Sequence, residues 1–384
     1  MTFDFDLAVV GLGYVGLPLA RRACEVALSV AGYDIAAPVV ANLAAGRSHV
    51  ADVTDADVAA MLSAGFHPTR DASVLGRAET VVICVPTGLN PDGEPDLSAV
   101  FHAVRAVGRE LRAGQLIVLE STTYAGTTEE MIRPILEEGG LVTGGDFYLG
   151  YSPERINPGS GEFELETTPK IVSGCTPLCV KRCVAFYEPL IETIVVAKGT
   201  REAEMAKLLE NTFRDVNIAL VNELATLCRR LGIDVWEVLR CAETKPFGFQ
   251  AFRPGPGVGG HCIAVDPKYL ARQAREAGVP CGLVEAARTV NARMPGQVVE
   301  RAHQILTRDR VHPRDARVTL LGVSYKPDVG DCRESPALDV ARGLLAAGSR
   351  VSYHDPHVPD VNVDGVTLPR ITEPAAWHPR ADLM

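Results

Sequence analysis

The sequence has no excess of positive charge. Its 384 residues contain 38 Lys and Arg against 48 Asp and Glu, which gives a formal net charge of −10 at pH 7. Proteins that bind nucleic acid or anionic membrane surfaces do so through basic patches that neutralise phosphates. The charge balance therefore argues against nucleic acid as a partner. The hydrophobic content of 47% and the charged content of 22% are those of a globular protein.

The sequence also lacks a long hydrophobic run at its start. The uncharged stretch 7–20 covers 14 residues, whereas a helix needs about 20 apolar residues to span a bilayer. Asp4 and Asp6 stand where a secretory signal would carry Lys or Arg. We therefore expect neither a membrane helix nor an export signal, and we predict a cytoplasmic protein with no membrane partner.

The ten cysteines form no paired C-x-x-C units of the kind that bind zinc. Free thiols in a reducing compartment are the simplest interpretation. Cys175, Cys179 and Cys183 repeat every four residues, a spacing that suits one face of a helix. We interpret these three as buried thiols and predict no metal site.

Short β-branched runs alternate with helix-compatible segments in the first half of the chain. The runs lie at 7–12, 29–34, 80–86 and 116–121. This alternation predicts a parallel sheet covered on both faces. Further runs at 147–152, 170–174 and 193–198 can extend the sheet, so the first domain is predicted to occupy residues 1–198.

From Thr200 onward the pattern changes to apolar positions three and four residues apart, which is typical of helices. This predicts a central helical segment over 199–295.

The strand pattern returns at 317–324 and 350–355, with a helix pattern between them, and predicts a second α/β domain over 296–384. About thirty residues follow Asp355, too few for a complete doubly wound sheet. We expect this C-terminal domain to be incomplete.

A glycine-rich loop follows the first predicted strand and precedes a helix pattern. It reads Gly11, Leu12, Gly13, Tyr14, Val15 and Gly16, the G-x-G-x-x-G spacing. The glycines permit a tight turn and a close approach to a pyrophosphate, and the helix N-terminus offers N–H groups to it. Asp34, at the end of the next strand, can accept hydrogen bonds from both ribose hydroxyls. Ile35 follows it with no arginine nearby in sequence, so NAD is expected rather than NADP.

Polar residues follow the third and fourth predicted strands. Pro86 and Thr87 follow one, and Ser121 and Thr122 follow the other. Open α/β sheets bind ligands at the carboxyl ends of their strands, so these residues are candidates for cofactor binding. The alternative is that the hydroxyls only cap the next helices.

The segment 254–266 contains four glycines and two prolines in its first seven residues. Such a composition predicts a loop whose backbone approaches another group closely. Cys262 could be a nucleophile there, with the carboxylate of Asp266 nearby to manage protons. A single cysteine is more often an inert core residue, and that alternative stays open on composition alone.

Lys207 and Asn211 are spaced i and i+4 on the predicted central helix, among apolar neighbours. An ammonium and an amide on one helix face can stabilise a developing oxyanion. The alternative is a surface lysine beside a surface amide.

At this point the sequence resembles the NAD-dependent nucleotide-sugar 6-dehydrogenases, which include UDP-glucose, UDP-N-acetylglucosamine and UDP-N-acetylmannosamine dehydrogenases. The resemblance rests on six ordered motifs that together cover almost the whole chain, at residues 11–18, 120–130, 151–159, 204–214, 255–267 and 325–337.

The resemblance implies an α/β fold of two Rossmann-like doubly wound domains, joined by a central helical segment that usually forms a homodimer. It implies that the first domain binds NAD and that the C-terminal domain binds the nucleotide-sugar substrate. It also implies a four-electron oxidation of a C6 alcohol to a uronate, through a thiohemiacetal and a thioester on a cysteine.

The resemblance also assigns roles to individual residues. The implied catalytic residues are Cys262 as nucleophile, Lys207 and Asn211 for the oxyanion, Asp266 and Thr122 for water and protons, and Glu154 for thioester hydrolysis. The implied substrate-binding residues are Glu154, Arg155, Lys207, Asn211, Phe252, Gly255, Gly259 and Lys326. The cofactor-binding residues are Gly11, Gly13, Tyr14, Val15, Gly16, Asp34, Pro86, Thr87, Ser121 and Thr122.

Three alternatives remain at this level. A two-electron hydroxy-acid dehydrogenase would combine a Rossmann domain with a Lys/Asn pair but would not need Cys262. A non-catalytic protein that binds NAD or a sugar nucleotide is compatible with a short C-terminal domain. Within the resemblance, segments 154–159 and 245–250 favour UDP-N-acetylglucosamine, although relatives that act on UDP- or dTDP-glucose share parts of them.

Overall fold

The computed structural model describes residues 3–50, 52–156, 165–372 and 381–384, and for His261 and Cys262 it describes the backbone alone. The chain divides into two compact units, residues 1–209 and 210–384. In the described part of the chain, no helix is long and apolar enough to cross a membrane.

The first unit is built on an eight-stranded sheet and a small hairpin. The strands are β1 (Phe5–Val10), β2 (Val30–Tyr33), β3 (His67–Thr69), β4 (Ala78–Ile83), β5 (Gly88–Leu89), β6 (Pro95–Asp96), β7 (Leu116–Leu119), β8 (Tyr148–Tyr151), β9 (Lys170–Gly174) and β10 (Ile194–Val196). The order in the large sheet is β10-β9-β8-β7-β4-β1-β2-β3, and β5 pairs with β6 outside it. The predicted strand runs of the first domain are therefore all present in one sheet.

One strand pair departs from the parallel sheet that the sequence predicts. β8 and β9 pair antiparallel, with Gly150 opposite Gly174, while the other pairs in the large sheet are parallel. No helix of the described residues lies between β8 and β9. Parallel neighbours usually need a helical crossover, and the described residues between these two strands, 152–156 and 165–169, contain none.

Helices cover the sheet of the first unit. They are α1 (Gly16–Glu25), α2 (Ala37–Ala44), α3 (Asp55–Ser63), α4 (Ser98–Glu110), α5 (Arg133–Glu137) and α6 (Pro177–Tyr187), with a 3₁₀ turn at Ala72–Arg77 and a π-helical turn at Thr127–Ile132. The central strands are buried on both faces, as in β1, where residues 7–10 are buried. This explains why the strands are continuous apolar runs instead of alternating ones.

The predicted cysteine row is confirmed for two of its three members. Cys179 and Cys183 lie on α6 and are fully buried. Cys175 lies before the helix and is half-buried, because Pro177 begins α6 and Thr176 caps it. The nine cysteines whose side chains are described are all free thiols.

Long helices make up much of the second unit. They are α7 (Thr200–Leu231), whose first residues belong to the first unit, and α8 (Val235–Glu243), α9 (His261–Glu276) and α10 (Gly282–Arg308). The helical stretch that the apolar spacing predicts from Thr200 onward is thus present as a helix of 32 residues.

The chain ends in a short α/β arrangement. Its elements are β11 (Arg317–Leu321), α11 (Pro336–Ala346), β12 (Arg350–His354), β13 (Asn362–Val363) and β14 (Val366–Thr367). β11 and β12 are parallel, and single bridges extend their sheet on both sides, from Val318 to Leu383 and from Tyr353 to Arg370. The two predicted strands of this domain and the helix predicted between them are present.

Candidate functional site

The glycine loop connects β1 to α1 at the carboxyl edge of the large sheet. Gly11 has a φ of +89°, and a Cβ there would lie 2.9 Å from the carbonyl oxygen of Cys84. A Cβ on Gly16 would overlap the carbonyl oxygen of Gly11, whereas a Cβ on Gly13 would have no neighbour within 4 Å. Two glycines thus close the turn, and the third leaves room for a ligand. Tyr14 and Val15 pack on the core beside it.

Asp34 lies at the same edge and binds the glycine loop directly. Its Oδ2 accepts a hydrogen bond from the N–H of Leu12 at 2.9 Å, and its Oδ1 accepts one from the N–H of Ala36 at 2.8 Å. Each carboxylate oxygen has two acceptor positions, so both can also accept from ribose hydroxyls. The loop with its open Gly13 position and the anchored acid fit an adenine dinucleotide of the NAD type.

An arginine that is distant in the sequence lies beside Asp34 in the fold. Arg70 follows β3, and its Nε donates to the carbonyl oxygen of Ile35 at 3.2 Å. The expectation that no arginine is close to Asp34 is therefore wrong for the folded chain, although it holds for the sequence around Asp34. The reason is that β3 is the parallel neighbour of β2, so the residues after both strands meet at one edge of the sheet.

Replacing Asp34 by alanine is expected to raise the KM for NAD by roughly 10- to 100-fold, since a hydrogen bond to a charged group contributes about 1.5–3 kcal/mol. The same change removes the negative charge beside Arg70, so the ratio of NADP to NAD use should rise. Steady-state kinetics with both cofactors measure this. Asp71→Ala, which removes a carboxylate that bonds Ser73, is the matched control and should leave both KM values unchanged. An Asp34→Ala enzyme with the wild-type KM for NAD contradicts the assignment.

Two more of the predicted cofactor segments lie beside the glycine loop. β4 lies between β1 and β7, so the residues after β4 and β7 share the same sheet edge. The hydroxyl of Ser121 donates to the carbonyl oxygen of Val85 at 2.7 Å and ties the two segments together. Pro86 is exposed, and Thr87 and Thr122 are half-buried. Ser121 donates this hydrogen bond to a carbonyl oxygen. A hydroxyl that caps a helix instead accepts a hydrogen bond from a backbone N–H group.

A buried group of charges lies beneath the ends of β7 and β8. Lys170 has its Nζ 3.0 Å from Oε1 of Glu120 and 3.0 Å from Oε2 of Glu154. The hydroxyl of Tyr187 donates to Oε1 of Glu120. Burial raises the pKa of Glu120. Burial also raises the pKa of Glu154, but Lys170 and two backbone N–H donors lower it further, so the pKa of Glu154 lies below its ordinary value.

Lys207 joins this group from helix α7. Its Nζ donates to the backbone carbonyl oxygen of Glu154 at 2.6 Å, and the residue is 9% exposed. The interpretation of Lys207 as a surface lysine is wrong, because the residue is largely buried and its ammonium donates to a backbone carbonyl oxygen. Arg155, the next predicted residue, donates from Nη1 to the carbonyl oxygen of Pro169 at 2.6 Å. Residues 157–159 of the same motif lie outside the described residues.

Glu204 is a functional candidate that the sequence reasoning missed. It lies on α7 one turn before Lys207, and its carboxylate is fully buried. Oε2 accepts from the N–H of Gly126 at 2.6 Å, and Oε1 accepts from the N–H and the hydroxyl of Thr128 at 2.8 and 2.6 Å. It therefore anchors the segment that follows Thr122. Burial raises the pKa of Glu204 to about 7.

This raised pKa predicts a pH-dependent stability. The folded state holds the Glu204 proton more tightly than the unfolded chain, so the contribution is fully present below pH 4.5 and is lost as pH rises through about 7. At about 1.4 kcal/mol per pH unit, the unfolding free energy of wild type should fall by about 3 kcal/mol as pH rises through this interval. The unfolding free energy of Glu204→Gln should not show this loss. Urea unfolding at pH 5 and pH 8 measures it. Glu130→Gln, which removes one charge of an exposed ion pair with Arg201, is the control. The same change in unfolding free energy between pH 5 and pH 8 for wild type and Glu204→Gln would refute the prediction.

In the second unit, Asn211 and Asp266 form one buried pair. Nδ2 of Asn211 donates to Oδ2 of Asp266 at 2.5 Å, and the two residues are 6% and 3% exposed. Asn211 lies on α7 and Asp266 on α9, so the bond fixes both helices at this point. The reading of Asn211 as a surface amide is therefore wrong. Cys262 is one helical turn before Asp266 on α9, and its side chain lies outside the described residues.

The predicted loop is shorter than the sequence suggested. Residues 254–260 form a loop, but α9 begins at His261, so Cys262 and Asp266 are helical. The glycines end at Gly260, and the apolar positions after it permit a helix. The loop interpretation is right for the glycine-rich part and wrong for residues 261–266.

The loop backbone packs closely on the C-terminal α/β arrangement. A Cβ on Gly259 would lie 2.7 Å from the carbonyl oxygen of Glu334, and a Cβ on Gly260 would lie 2.7 Å from the ring of Tyr325. The N–H of Gly255 donates to Oδ1 of Asn222 at 2.9 Å. These contacts explain the glycine content and place the loop beside the segment that carries Lys326.

Phe252 precedes this loop and packs edge-on against Phe213 of α7, with ring centroids 5.8 Å apart. It is half-buried. This apolar contact holds the start of the loop on the helix, so part of the side chain that is predicted to bind substrate already has a structural partner.

Three family models match this chain. The NAD binding domain of the UDP-glucose/GDP-mannose dehydrogenase family matches residues 5–191, its central domain matches 201–293, and its UDP binding domain matches 319–376.

Proteins and solved structures of known name are also similar. The UDP-N-acetyl-D-glucosamine 6-dehydrogenase of Pseudomonas aeruginosa is 38% identical over 92% of this chain and 83% of its own length. The structure of UDP-D-ManNAc dehydrogenase from Pyrococcus horikoshii is 36% identical, with a TM-score of 0.86 over 92% of this chain and 84% of that one. A UDP-glucose dehydrogenase structure from Pyrobaculum islandicum is 29% identical, with a TM-score of 0.89 over 99% of this chain and 89% of that one.

Proposed function

Because this chain belongs to the UDP-glucose/GDP-mannose dehydrogenase family, we propose that its substrate is UDP-N-acetylglucosamine and its product the corresponding 6-uronate. The chain is an NAD-dependent oxidoreductase that acts on a nucleotide sugar. The observation that carries the choice of sugar is the 38% identity to a UDP-N-acetyl-D-glucosamine 6-dehydrogenase over 92% of the chain.

NAD, when bound, supplies the hydride acceptor for both oxidations. The residues that would hold it are those of the glycine loop, Asp34, and the segments at Pro86–Thr87 and Ser121–Thr122, which lie at one edge of the sheet. The helix α1 begins at Gly16, at the end of the glycine loop, and its first N–H groups would hold the pyrophosphate. The carboxylate of Asp34 repels a 2′-phosphate and thereby selects NAD.

Cys262 is proposed as the nucleophile that permits the second oxidation. An aldehyde has no tetrahedral carbon from which a hydride can leave, and addition of the thiolate to it creates one. Oxidation of the resulting thiohemiacetal gives a thioester, and water releases the uronate. Without such a residue the enzyme would stop after two electrons and release the aldehyde.

Lys207 and Asn211 are proposed to stabilise the oxyanion of each tetrahedral adduct. The ammonium of Lys207 is held at the Glu154 carbonyl oxygen, and the amide of Asn211 is held by Asp266. Donors that are already oriented lose little free energy to reorganisation when charge develops on the substrate. Thr122 and Asp266 are proposed to handle water and protons, and Glu154 is proposed to serve thioester hydrolysis. Arg155, Phe252, Gly255, Gly259 and Lys326 are proposed to contact the nucleotide sugar.

A panel of nucleotide sugars tests the substrate assignment. We expect the highest kcat/KM for UDP-N-acetylglucosamine, at least about tenfold above UDP-glucose and dTDP-glucose, since unpaired polar groups in a site built for an amide are costly. UDP-N-acetylmannosamine, which differs at C2 alone, is the second candidate, because relatives 36% identical carry that name. NADH formation is the readout, and a preference for UDP-glucose contradicts the assignment.

A homodimer is proposed from the apolar surface of the central helices. Large apolar side chains of α7 and α8 are exposed, and those in the second unit include Phe213, Leu220, Leu227, Leu231 and Trp236. Exposed apolar patches of this kind mark protein–protein contacts, and a second copy of the chain presents the same face.

The free thiols of the described cysteines support a cytoplasmic location.

A further inference from the structure

Lys170 is a fully enclosed lysine to which the proposed reaction gives no role. It begins β9 and its side chain is 3% exposed. Its ammonium lies 3.0 Å from one oxygen of Glu120 and 3.0 Å from one oxygen of Glu154. It also lies 5.1 Å from the centre of the Tyr187 ring. The four side chains come from four different segments of the first unit.

Stability alone gives a weak reason for such a group. Removing charges from water is costly, and buried ion pairs often contribute no more than well-packed apolar side chains. The cluster contains two carboxylates and one ammonium, so its formal charge is −1. Although burial lowers the pKa of Lys170, Glu120 and Glu154 raise it above its ordinary value, and the lysine stays charged. Because the free energy of removing these charges from water is unfavourable, stability does not explain why the chain has a lysine at this position.

The contacts of Glu154 supply that explanation. Oε1 accepts from the backbone N–H groups of Arg155 and Ile156 at 2.5 and 2.6 Å, while Oε2 accepts from Lys170. The backbone carbonyl of the same residue accepts from Lys207 at 2.6 Å. Glu154 is thus fixed at its carboxylate by one lysine and at its carbonyl by another. Glu120 and Tyr187 hold Lys170 from the other side.

We propose that Lys170 is a positioning residue for thioester hydrolysis, which keeps the Glu154 carboxylate ionised and oriented as the acceptor for the attacking water. This inference rests on the proposed function. The Glu154 side chain keeps 11% of its surface exposed, and each carboxylate oxygen has two acceptor positions, so Oε2 retains one for a water beside the bond from Lys170. The fixed carbonyl of Glu154 orients Lys207 for the oxyanion in the same step.

The hydrolytic step balances without any further reactant. The water oxygen adds to the C6 carbonyl carbon, and the oxyanion that forms is stabilised by Lys207. Collapse of this adduct breaks the bond between carbon and the sulfur of Cys262. The Glu154 carboxylate accepts one proton of the water and returns it to the departing thiolate, and the other proton leaves when the new carboxylic acid ionises.

Lys170→Met separates this role from a purely structural one. When the variant is mixed with NAD and the sugar nucleotide, we expect a rapid burst of two NADH per active site at close to the wild-type rate. Turnover should then fall by roughly 100-fold, the usual cost of a misplaced catalytic group. The sugar thioester on the enzyme should accumulate and be visible by intact-protein mass spectrometry.

The pH profile gives a second readout. Lys170 is a main cause of the lowered pKa of the Glu154 carboxyl, so this pKa rises when the lysine cation is removed. Hydrolysis by the variant should therefore increase with pH more steeply than hydrolysis by wild type. A role in folding alone produces no such profile.

Three further variants complete the design. Lys170→Arg keeps the cation, although its guanidinium is larger than the ammonium in this enclosed position, so it should keep the pH dependence of wild type and lose less turnover than Lys170→Met. Lys170→Met combined with Glu120→Gln removes one charge of each sign, so it tests the same step if the single variant does not fold. Arg182→Met removes a cation that pairs with Glu79 on the same unit and should behave as wild type.

The outcomes distinguish this inference from the proposed function. A wild-type enzyme that forms no NADH with any sugar of the panel overturns the proposed function and this inference with it. An active wild type beside a Lys170→Met variant with unchanged turnover and no adduct overturns this inference alone. Equal slowing of the burst and of turnover also overturns it.

Discussion

Cys262→Ala is expected to abolish uronate formation while NAD still binds. The variant retains the glycine loop and Asp34, which form in the first unit, so the dissociation constant for NAD should be unchanged. It has no thiolate to convert the aldehyde into a tetrahedral adduct, so the second hydride cannot be removed. We expect uronate formation to fall by at least about 10³-fold, since the covalent step has no substitute among the proposed residues.

Product analysis by liquid chromatography and mass spectrometry checks this result, with NAD binding followed separately by fluorescence. Cys241→Ala and Cys281→Ala are matched controls, because both cysteines belong to the same unit and neither lies in the glycine-rich motif. Both controls should give wild-type uronate. Normal uronate output from Cys262→Ala would end the covalent scheme.

Lys207→Met is expected to lower kcat by about 10²–10³-fold with little change in NAD affinity. Removal of one preoriented oxyanion donor has that usual cost. The ammonium already lies 2.6 Å from the backbone carbonyl oxygen of Glu154, so it is held in place before substrate arrives. The loss should appear in kcat more than in KM, because an oxyanion is present in the transition state and absent from the ground state.

Single-turnover kinetics measure the effect on each chemical step. Lys181→Met, at an exposed lysine on α6, is the control for the loss of a positive charge and should retain full activity. Lys207→Arg tests geometry, because the guanidinium is larger than the ammonium and cannot occupy the same enclosed position. A Lys207→Met enzyme with wild-type kcat contradicts the assignment of the oxyanion donor.

The cofactor region was predictable from the sequence because its signal is local. The glycine loop, the strand before it and Asp34 lie within the first 34 residues, and each has a separate physical reason. The apolar strand runs were equally clear, since a strand buried on both faces has no polar alternation. Arg70 escaped notice because sequence order does not show that the ends of β2 and β3 are neighbours.

The buried charge cluster could not be predicted in the same way. Glu120, Glu154, Lys170 and Tyr187 are separated by 16 to 34 residues in the chain, and contacts between them depend on the order of the strands. The one sequence signal is a charged residue at the end or start of an apolar strand run, as at Glu120 and Lys170. Such a residue has to find a partner inside the protein.

The glycine-rich motif shows where composition stops being informative. Gly259 and Gly260 are required by close contacts to Glu334 and Tyr325, which lie more than sixty residues further along the chain. Composition indicated an irregular backbone but not where it ends, because the helix that begins at His261 includes a proline at position 267. A proline inside a helix is normally read as a break.

The number of NADH molecules formed per sugar oxidised tests the central claim most directly. A limiting amount of UDP-N-acetylglucosamine, or of the sugar that the panel selects, is converted completely with excess NAD, and NADH is measured by absorbance. The account predicts two NADH per sugar and a uronate as the product. One NADH per sugar with a released aldehyde or ketone would contradict it and would identify a two-electron dehydrogenase.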